Sequence, residues 1–152
     1  MGVFRMSRTR SRLVLIDLFC GAGGLSEGLR QAGFSPLVGV DSDSRVLATY
    51  TANHTNSHPL LADIATTTGK HLLKLAGTDE IDLLAGGPSC QGFSTHGKRI
   101  EEDPRNFLFK EFVRLVNEVR PKFFLMENVK GLLVYSKGQF KRLIEEAFAR
   151  IG

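Results

Sequence analysis

Two cysteines, a few acidic residues and one glycine-rich stretch are the parts of this 152-residue chain whose types and spacing can do chemistry. Gly21-Ala22-Gly23-Gly24 follows the β-branched and apolar run 13–19, and Asp41 stands about 20 positions further on. A tight glycine turn after a strand lets backbone N–H groups approach a ligand, and an acidic residue at that spacing can accept both hydroxyls of a ribose. The pair points to a nucleoside-containing cofactor. Ser26 falls where the third glycine of G-x-G-x-x-G would stand, which weakens a pyrophosphate-binding dinucleotide reading and makes a nicotinamide dehydrogenase a distant rival. Cys90 lies in Gly86-Gly87-Pro88-Ser89-Cys90-Gln91-Gly92, the composition of an exposed loop, where a thiol with a lowered pKa becomes a nucleophile and a good leaving group. Cys20, beside the turn, reads as structural. Glu127 ends the apolar run 123–126, an expensive place for a carboxylate without a partner.

The elements that position these residues alternate between strand and helix. Residues 13–19 read as a buried strand, followed by a helix to about Ala32 that stops at Gly33. Residues 37–40 read as a second strand, Asp43 or Ser44 as the cap of a helix through Asn53, 60–64 as a short third strand and 81–85 as a fourth. Leu108, Phe112, Leu115, Val116 and Val119 keep helical spacing until Pro121, and 123–126 reads as a fifth strand. Such alternation predicts an α/β fold, a mostly parallel sheet with helices on both faces, whose ligands collect beyond the carboxyl ends of the strands. Phe140, Leu143, Ile144, Ala147, Phe148 and Ile151 form a full apolar helical stripe that needs a covering surface, so the domain reads as incomplete at its C-terminus.

Composition narrows the class. With 42% hydrophobic and 24% charged residues the chain is globular, and the apolar run at 13–19 is too short, and broken by Asp17, to cross a membrane. The formal charge of +4 belongs to a basic tail, residues 1–12, because setting aside Arg5, Arg8, Arg10 and Arg12 leaves the basic and acidic residues balanced. Residues 13–152 then form one domain. Two cysteines make no disulfide framework, and with four scattered histidines they show no metal-ligand spacing, which fits a reducing, cytosol-like compartment.

Four motifs in order carry a family resemblance: Asp17-Leu18-Phe19-Cys20-Gly21-Ala22-Gly23-Gly24-Leu25, then Gly86-Gly87-Pro88-Ser89-Cys90-Gln91-Gly92-Phe93-Ser94, Asp103-Pro104-Arg105-Asn106-Phe107-Leu108, and Phe124-Leu125-Met126-Glu127-Asn128-Val129. The chain resembles the DNA (cytosine-5)-methyltransferase family from Leu13 to about Ile151. The resemblance implies a Rossmann-like fold that binds S-adenosyl-L-methionine. Phe19 would lie against the adenine, Gly21 and Gly23 at the methionine portion, Asp41 on the ribose, and Asp63 and Ile64 near the adenine. Leu108 would line the pocket, and Leu25, Ser42 and Pro88 complete the expected cofactor set.

The resemblance also implies the chemistry. Cys90 adds to carbon 6 of a cytosine flipped out of double-stranded DNA, while Glu127 faces ring nitrogen 3 and the exocyclic amine, and carbon 5 takes the methyl group. Asn128 would orient the neighbouring loop or serve only as a cap. The polar stretch 95–103 would form a flap over DNA, with Lys98 or Arg99 meeting a phosphate. Ser89 departs from the family's usual proline. Elements that would follow Gly152 in the family, including the target-recognition region, are not in this sequence, so a complementing C-terminal polypeptide or missing domain is expected. The implied setting is bacterial, cytoplasmic and nucleoid-associated, within restriction-modification. A noncatalytic methyltransferase-like subunit and an RNA cytosine methyltransferase fragment are the alternatives.

Overall fold

Leu13–Leu18 forms strand β1, and its last four residues are buried because a neighbouring strand covers each side and a helical layer each face. The computed structural model describes residues 12–89, 108–129 and 139–152; Cys90, residues 91–107, the tail 1–11 and residues 130–138 lie outside the described residues. The expectations for Cys90, for Lys98 and Arg99, and for residues 1–11 of the tail therefore fall outside them too. Helix α1 (Gly24–Gln31) leads to β2 (Phe34–Asp41), and α2 (Ser44–Asn53) leads to β3 (His58–Leu61). A 3-10 turn (Ile64–Thr66) and α3 (Gly69–Ala76) precede β4 (Leu83–Gly86). Helix α4 (Leu108–Val119) is followed by β5 (Phe123–Met126), and α5 is Gln139–Ala149.

The described strands form one parallel sheet in the order β3-β2-β1-β4-β5. After β3 the chain crosses back to lay β4 against the free side of β1, so the strand order reverses between β1 and β4, the place where such sheets open a ligand crevice. The β1–β2 register shifts between Leu15 and Ile16, next to Pro36, which has no N–H to give the ladder. Asp43 caps α2 by accepting from the Arg45 N–H, in agreement with its expected role.

Alternation along β1 divides the core. Ile16 and Leu18 join Val38, Val40 and Leu84 under Leu72 of α3 and Phe112, Leu115, Val116 and Val119 of α4. Leu15 faces the other way, with Leu83, Ala85 and the α1 residues Leu25 and Leu29. Helix α3 was not anticipated from the sequence, although Thr68 caps it by accepting from the His71 N–H and Gly77 ends it in the left-handed conformation. The third strand is His58–Leu61 rather than 60–64, because its extent follows pairing of His58 through Leu61 with Val38 through Asp41; Ile64 belongs to the 3-10 turn.

The apolar stripe of α5 is covered more fully than its sequence suggests. Ile144 is buried with Phe109 and Val113 of α4, and Phe148 stacks on Phe124 at 4.3 Å while meeting Phe112 edge-on at 6.2 Å. Exposed apolar side chains gather on β5, where Phe123 is 74% and Leu125 41% exposed, with Leu143 of α5 also open; Leu61 on the opposite edge strand is exposed as well. Strand β5 is at the sheet edge, and by strand alternation Phe123 and Leu125 face away from the α4/α5 layer.

Candidate functional site

The turn after β1 is built by four local choices. Phe19 takes a left-handed φ of 60°, an uncommon conformation for a bulky residue and one that turns its ring out of the strand direction. The Cys20 N–H donates to the Val40 carbonyl at 2.9 Å, tying the turn to the end of β2. Gly21 donates its N–H to Asp41 Oδ2 at 2.8 Å, and Asp43 donates its own to Oδ1 at 2.9 Å. The Asp41 carboxylate is thus aimed by two backbone groups, and each oxygen keeps a lone pair for a further donor. Gly23 combines φ of 94° with close quarters: a Cβ there would lie 2.3 Å from His54 Nε2, so glycine is required twice over.

Beyond the carboxyl ends of β1 and β2 lies a cavity of about 450 Å³. Phe19, Asp41, Ser42, Asp63, Ile64 and Leu108 line it, six of the ten residues expected from the sequence to hold a cofactor. Val40, Ala62, Gly87 and Ser89 complete the lining; Gly87 and Ser89 belong to the motif around Cys90, while Val40 and Ala62 were not expected there. Of the remaining expected residues, Gly21 and Gly23 shape the turn beside the cavity. Leu25 packs beneath α1 against the Leu15, Leu83 and Ala85 core. Pro88 is buried, and its carbonyl accepts from Asn128 Nδ2 at 2.9 Å. The chemistry of the lining suits a nucleoside cofactor: apolar walls from Phe19, Val40, Ile64 and Leu108 for a base, and one oriented carboxylate for a ribose. S-adenosyl-L-methionine fits these residues on both counts.

A buried polar network under the turn was not legible in the sequence. Asp17 has no solvent exposure, and its Oδ2 accepts from Ser26 Oγ at 2.7 Å. Its other oxygen has no hydrogen-bond partner among the described residues. Burial pushes the Asp17 carboxyl up to about 6, opposed by its bonds from Ser26 and helped by the nearby charge of Asp41. The Tyr50 hydroxyl lies 2.9 Å from Ser57 Oγ, and its ring lies so close over Gly39 that a Cβ there would come 2.3 Å from Cζ. Cys20 is buried in the same region; burial, then the charges of Asp17 and Asp41, hold its thiol well above its ordinary range, which keeps it protonated and suits a structural role.

The second chemical region is reached from the same cavity. Gly87 and Ser89, both in the lining, lead directly to Cys90, which lies outside the described residues. The Glu127 N–H donates to the Gly86 carbonyl at 3.0 Å, and Glu127 Oε2 would lie 3.1 Å from a Cβ on Gly87. Together with the bond from Asn128 to Pro88, this holds the end of β5 against the loop that carries Cys90. Asn128 thus touches the loop it was expected to orient, while its Oδ1 accepts the Val129 N–H, which leaves the capping alternative open. Glu127 is exposed rather than enclosed, so its carboxylate does not demand a buried partner: among the described residues β5 is an edge strand whose end is open to solvent.

A parallel sheet whose order reverses beside a nucleoside-sized cleft defines a doubly wound α/β protein of the kind that binds nucleoside cofactors. Its family follows from relatives. The C-5 cytosine-specific DNA methylase family matches residues 13–152, and the chain belongs to that family. It is 44% identical over 143 residues to the type II methyltransferase M1.HphI of Haemophilus parahaemolyticus, covering 92% of this chain and 38% of that protein. To M.AgeI of Thalassovita gelatinovora it is 49% identical over 125 residues, covering 81% and 29%. The crystal structure of an E. coli prophage protein described as a DNA modification methyltransferase superposes with a TM-score of 0.77 at 34% identity, over 91% of this chain and 38% of that one. The S. pombe Dnmt2 structure, at 24% identity and a TM-score of 0.65 over 90% and 40%, shares the fold. The chain thus spans well under half the length of these relatives. Among the described residues no helix is long and apolar enough to cross a membrane.

Proposed function

We propose that this chain is the cofactor-binding and nucleophile-bearing part of an enzyme that methylates carbon 5 of cytosine in DNA. The observation that carries the reading is the continuity of the site: the loop that closes the cavity at Gly87 and Ser89 runs straight into Cys90 and lies against Glu127. When bound, S-adenosyl-L-methionine supplies an electrophilic sulfonium methyl, held by Asp41 at the ribose and by Phe19, Ile64 and Leu108 around the base.

The residues of this chain make the pyrimidine able to accept that methyl. Cytosine carbon 5 is a poor nucleophile. The Cys90 thiolate adds to carbon 6, the carbon 5–carbon 6 electron pair shifts toward carbon 5, and the new sulfur–carbon bond leaves the ring enamine-like. Glu127 shares a proton with ring nitrogen 3 and draws off the charge that would otherwise build up there. After methylation the carbon 5 proton is lost to solvent and the returning electron pair expels Cys90 as thiolate. A stacked base hides carbon 6, so the cytosine must swing out of the duplex, at a cost of a few kcal/mol.

The open outer face of β5 supports a second element of the proposal, that further polypeptide completes the sheet and reads the DNA sequence. Exposed Phe123 and Leu125 beside an unpaired strand edge are what such a contact would cover.

The test is covalent trapping. DNA containing 5-fluorocytosine and S-adenosyl-L-methionine should give a stable adduct with the chain co-expressed with a relative's C-terminal part, because fluorine cannot leave as the proton does. Cys90→Ala should abolish the adduct. An adduct that persists in Cys90→Ala would overturn the assignment of the nucleophile, and trapping by RNA but not DNA would overturn the substrate.

A further inference from the structure

The wall of the cavity formed by Ile64 is held both locally and from another element. Ile64 is the first residue of a 3-10 turn of three residues, in which the Asp63 carboxylate accepts the Ala65 N–H and the Asp63 carbonyl accepts from Thr66 and Thr67. One side chain hydrogen-bonds that turn to a neighbouring helix. Arg114, in the middle of α4, donates from Nη2 to the Ile64 carbonyl at 2.9 Å and to the Thr67 carbonyl at 2.9 Å. The remaining edges of the guanidinium are also engaged: Nε donates to Glu111 Oε2 and Nη1 to Glu118 Oε1, both at 2.7 Å. Glu118 in turn accepts the Gly69 N–H at 2.7 Å, just after the turn, where a Cβ would come 2.6 Å from Glu118 Cβ.

A second lining residue belongs to the same helix. Leu108, the first residue of α4, lines the cavity with Ile64, and about 1.7 turns of helix separate it from Arg114. A planar group that donates to two carbonyls at once while two carboxylates orient it acts as a spacer of fixed length between α4 and the turn. We propose that Arg114 is a positioning residue that fixes the placement of Ile64 relative to Leu108 in the cavity lining, and thereby the affinity for the base of S-adenosyl-L-methionine. This rests on the reading of the cavity as the cofactor site and adds to it a determinant outside the lining.

The same full-length chain carries the test in wild-type form and as Arg114→Gln, Arg114→Lys and Val113→Ala. Val113 adjoins Arg114 but is buried on the Phe109–Ile144 side of α4, so its truncation loosens the helix packing without touching the turn. Calorimetric titration with S-adenosyl-L-methionine should give a dissociation constant about tenfold or more weaker for Arg114→Gln, with Arg114→Lys between it and wild type, because an ammonium can still reach one carbonyl. Val113→Ala should stay within about twofold of wild type. Hydrogen exchange should show the Thr66 and Thr67 amides losing protection in Arg114→Gln but not in Val113→Ala. Wild-type affinity in Arg114→Gln, or an equal loss in Val113→Ala, would overturn the proposal. If wild type itself fails to bind the cofactor, the reading of the cavity falls, and the clamp is judged by exchange alone: lost protection upholds it and retained protection overturns it.

Discussion

Strands β1 and β5 are both short, both strongly apolar and both parallel members of one sheet, yet they end up in opposite surroundings. From Leu15 to Leu18 β1 is fully buried, even at Asp17, whereas Phe123, Phe124 and Leu125 of β5 are all exposed. The sequences Leu-Val-Leu-Ile-Asp-Leu and Phe-Phe-Leu-Met do not foretell this. Position does: β1 sits between β2 and β4, while among the described residues β5 has a strand on one side only. On the flank from β3 to β1, β3 is itself an edge strand with three of its four residues exposed, yet the interior around β1 and β2 is finished and presents an oriented Asp41 and a shaped cavity. The β5 flank carries Glu127 on an open edge. Cofactor binding should be a property of this chain, and handling of the base a property of this chain with more polypeptide added.

Variants on the two flanks should separate these properties. The largest effect is expected on the finished flank from Gly39→Ala, since the new methyl would overlap the fully buried Tyr50 ring; urea denaturation should show a loss of about 3 kcal/mol or failure to fold. A loss below about 1 kcal/mol would mean that this flank is more pliable than its packing indicates.

Asp17 gives the next contrast. Its carboxyl is raised from an ordinary 3.8 to about 6 by burial, so the folded state holds the proton more tightly than the unfolded state. Stability from this group is fully present below pH 4 and is lost as pH rises through 6, a change of roughly 3 kcal/mol over that window. Ion-paired acids such as Asp82 and Glu118, whose values are lowered, contribute in the opposite direction. The difference in unfolding free energy between wild type and Asp17→Asn therefore isolates the effect: it should fall between pH 4 and 6.5, and a flat difference would place Asp17 in wetter surroundings than its burial indicates.

Asp41→Ala should weaken calorimetric binding of S-adenosyl-L-methionine about thirtyfold, near 2 kcal/mol, through loss of the carboxylate and of the anchors at Gly21 and Asp43. Unchanged affinity would remove the ribose role. The smallest effect belongs to the open flank: Phe123→Ser should leave stability within about 0.5 kcal/mol of wild type while reducing self-association measured by light scattering. A large loss of stability there would show that the β5 face is already covered.

Much of the site could be read from order and spacing. The glycine turn, Asp41 and the run to Asp63 and Ile64 are each tied to the end of a strand, and a parallel sheet brings strand ends together wherever the chain alternates strictly. The proposed pairing of Cys90 with Glu127 rests on a related reason, since each follows a strand that neighbours the other's. The network of Asp17, Ser26 and Tyr50 was not legible, because serine and tyrosine on helices and one acid in a strand look ordinary until a fold buries them together. Arg114 escaped notice similarly: a helical arginine is usually solvated, and only the packing of α4 against the 3-10 turn gives it two carbonyls to hold. Helix α3 carried readable signals in Thr68 and Gly77, but its eight residues are short enough to pass for a loop.

The amino-acid sequence determined the order of the strands and of every helix but α3, the turn that needs glycine, and the residues whose chemistry suits the proposed nucleophile, acid and ribose acceptor. These are encoded in backbone preferences and side-chain chemistry that act over a few residues. Only the tertiary structure decided which apolar strand is covered, which acid loses its water, and which arginine spans two elements. Burial and long-range hydrogen bonding depend on what the rest of the chain brings alongside, and a segment by itself carries no record of its neighbours.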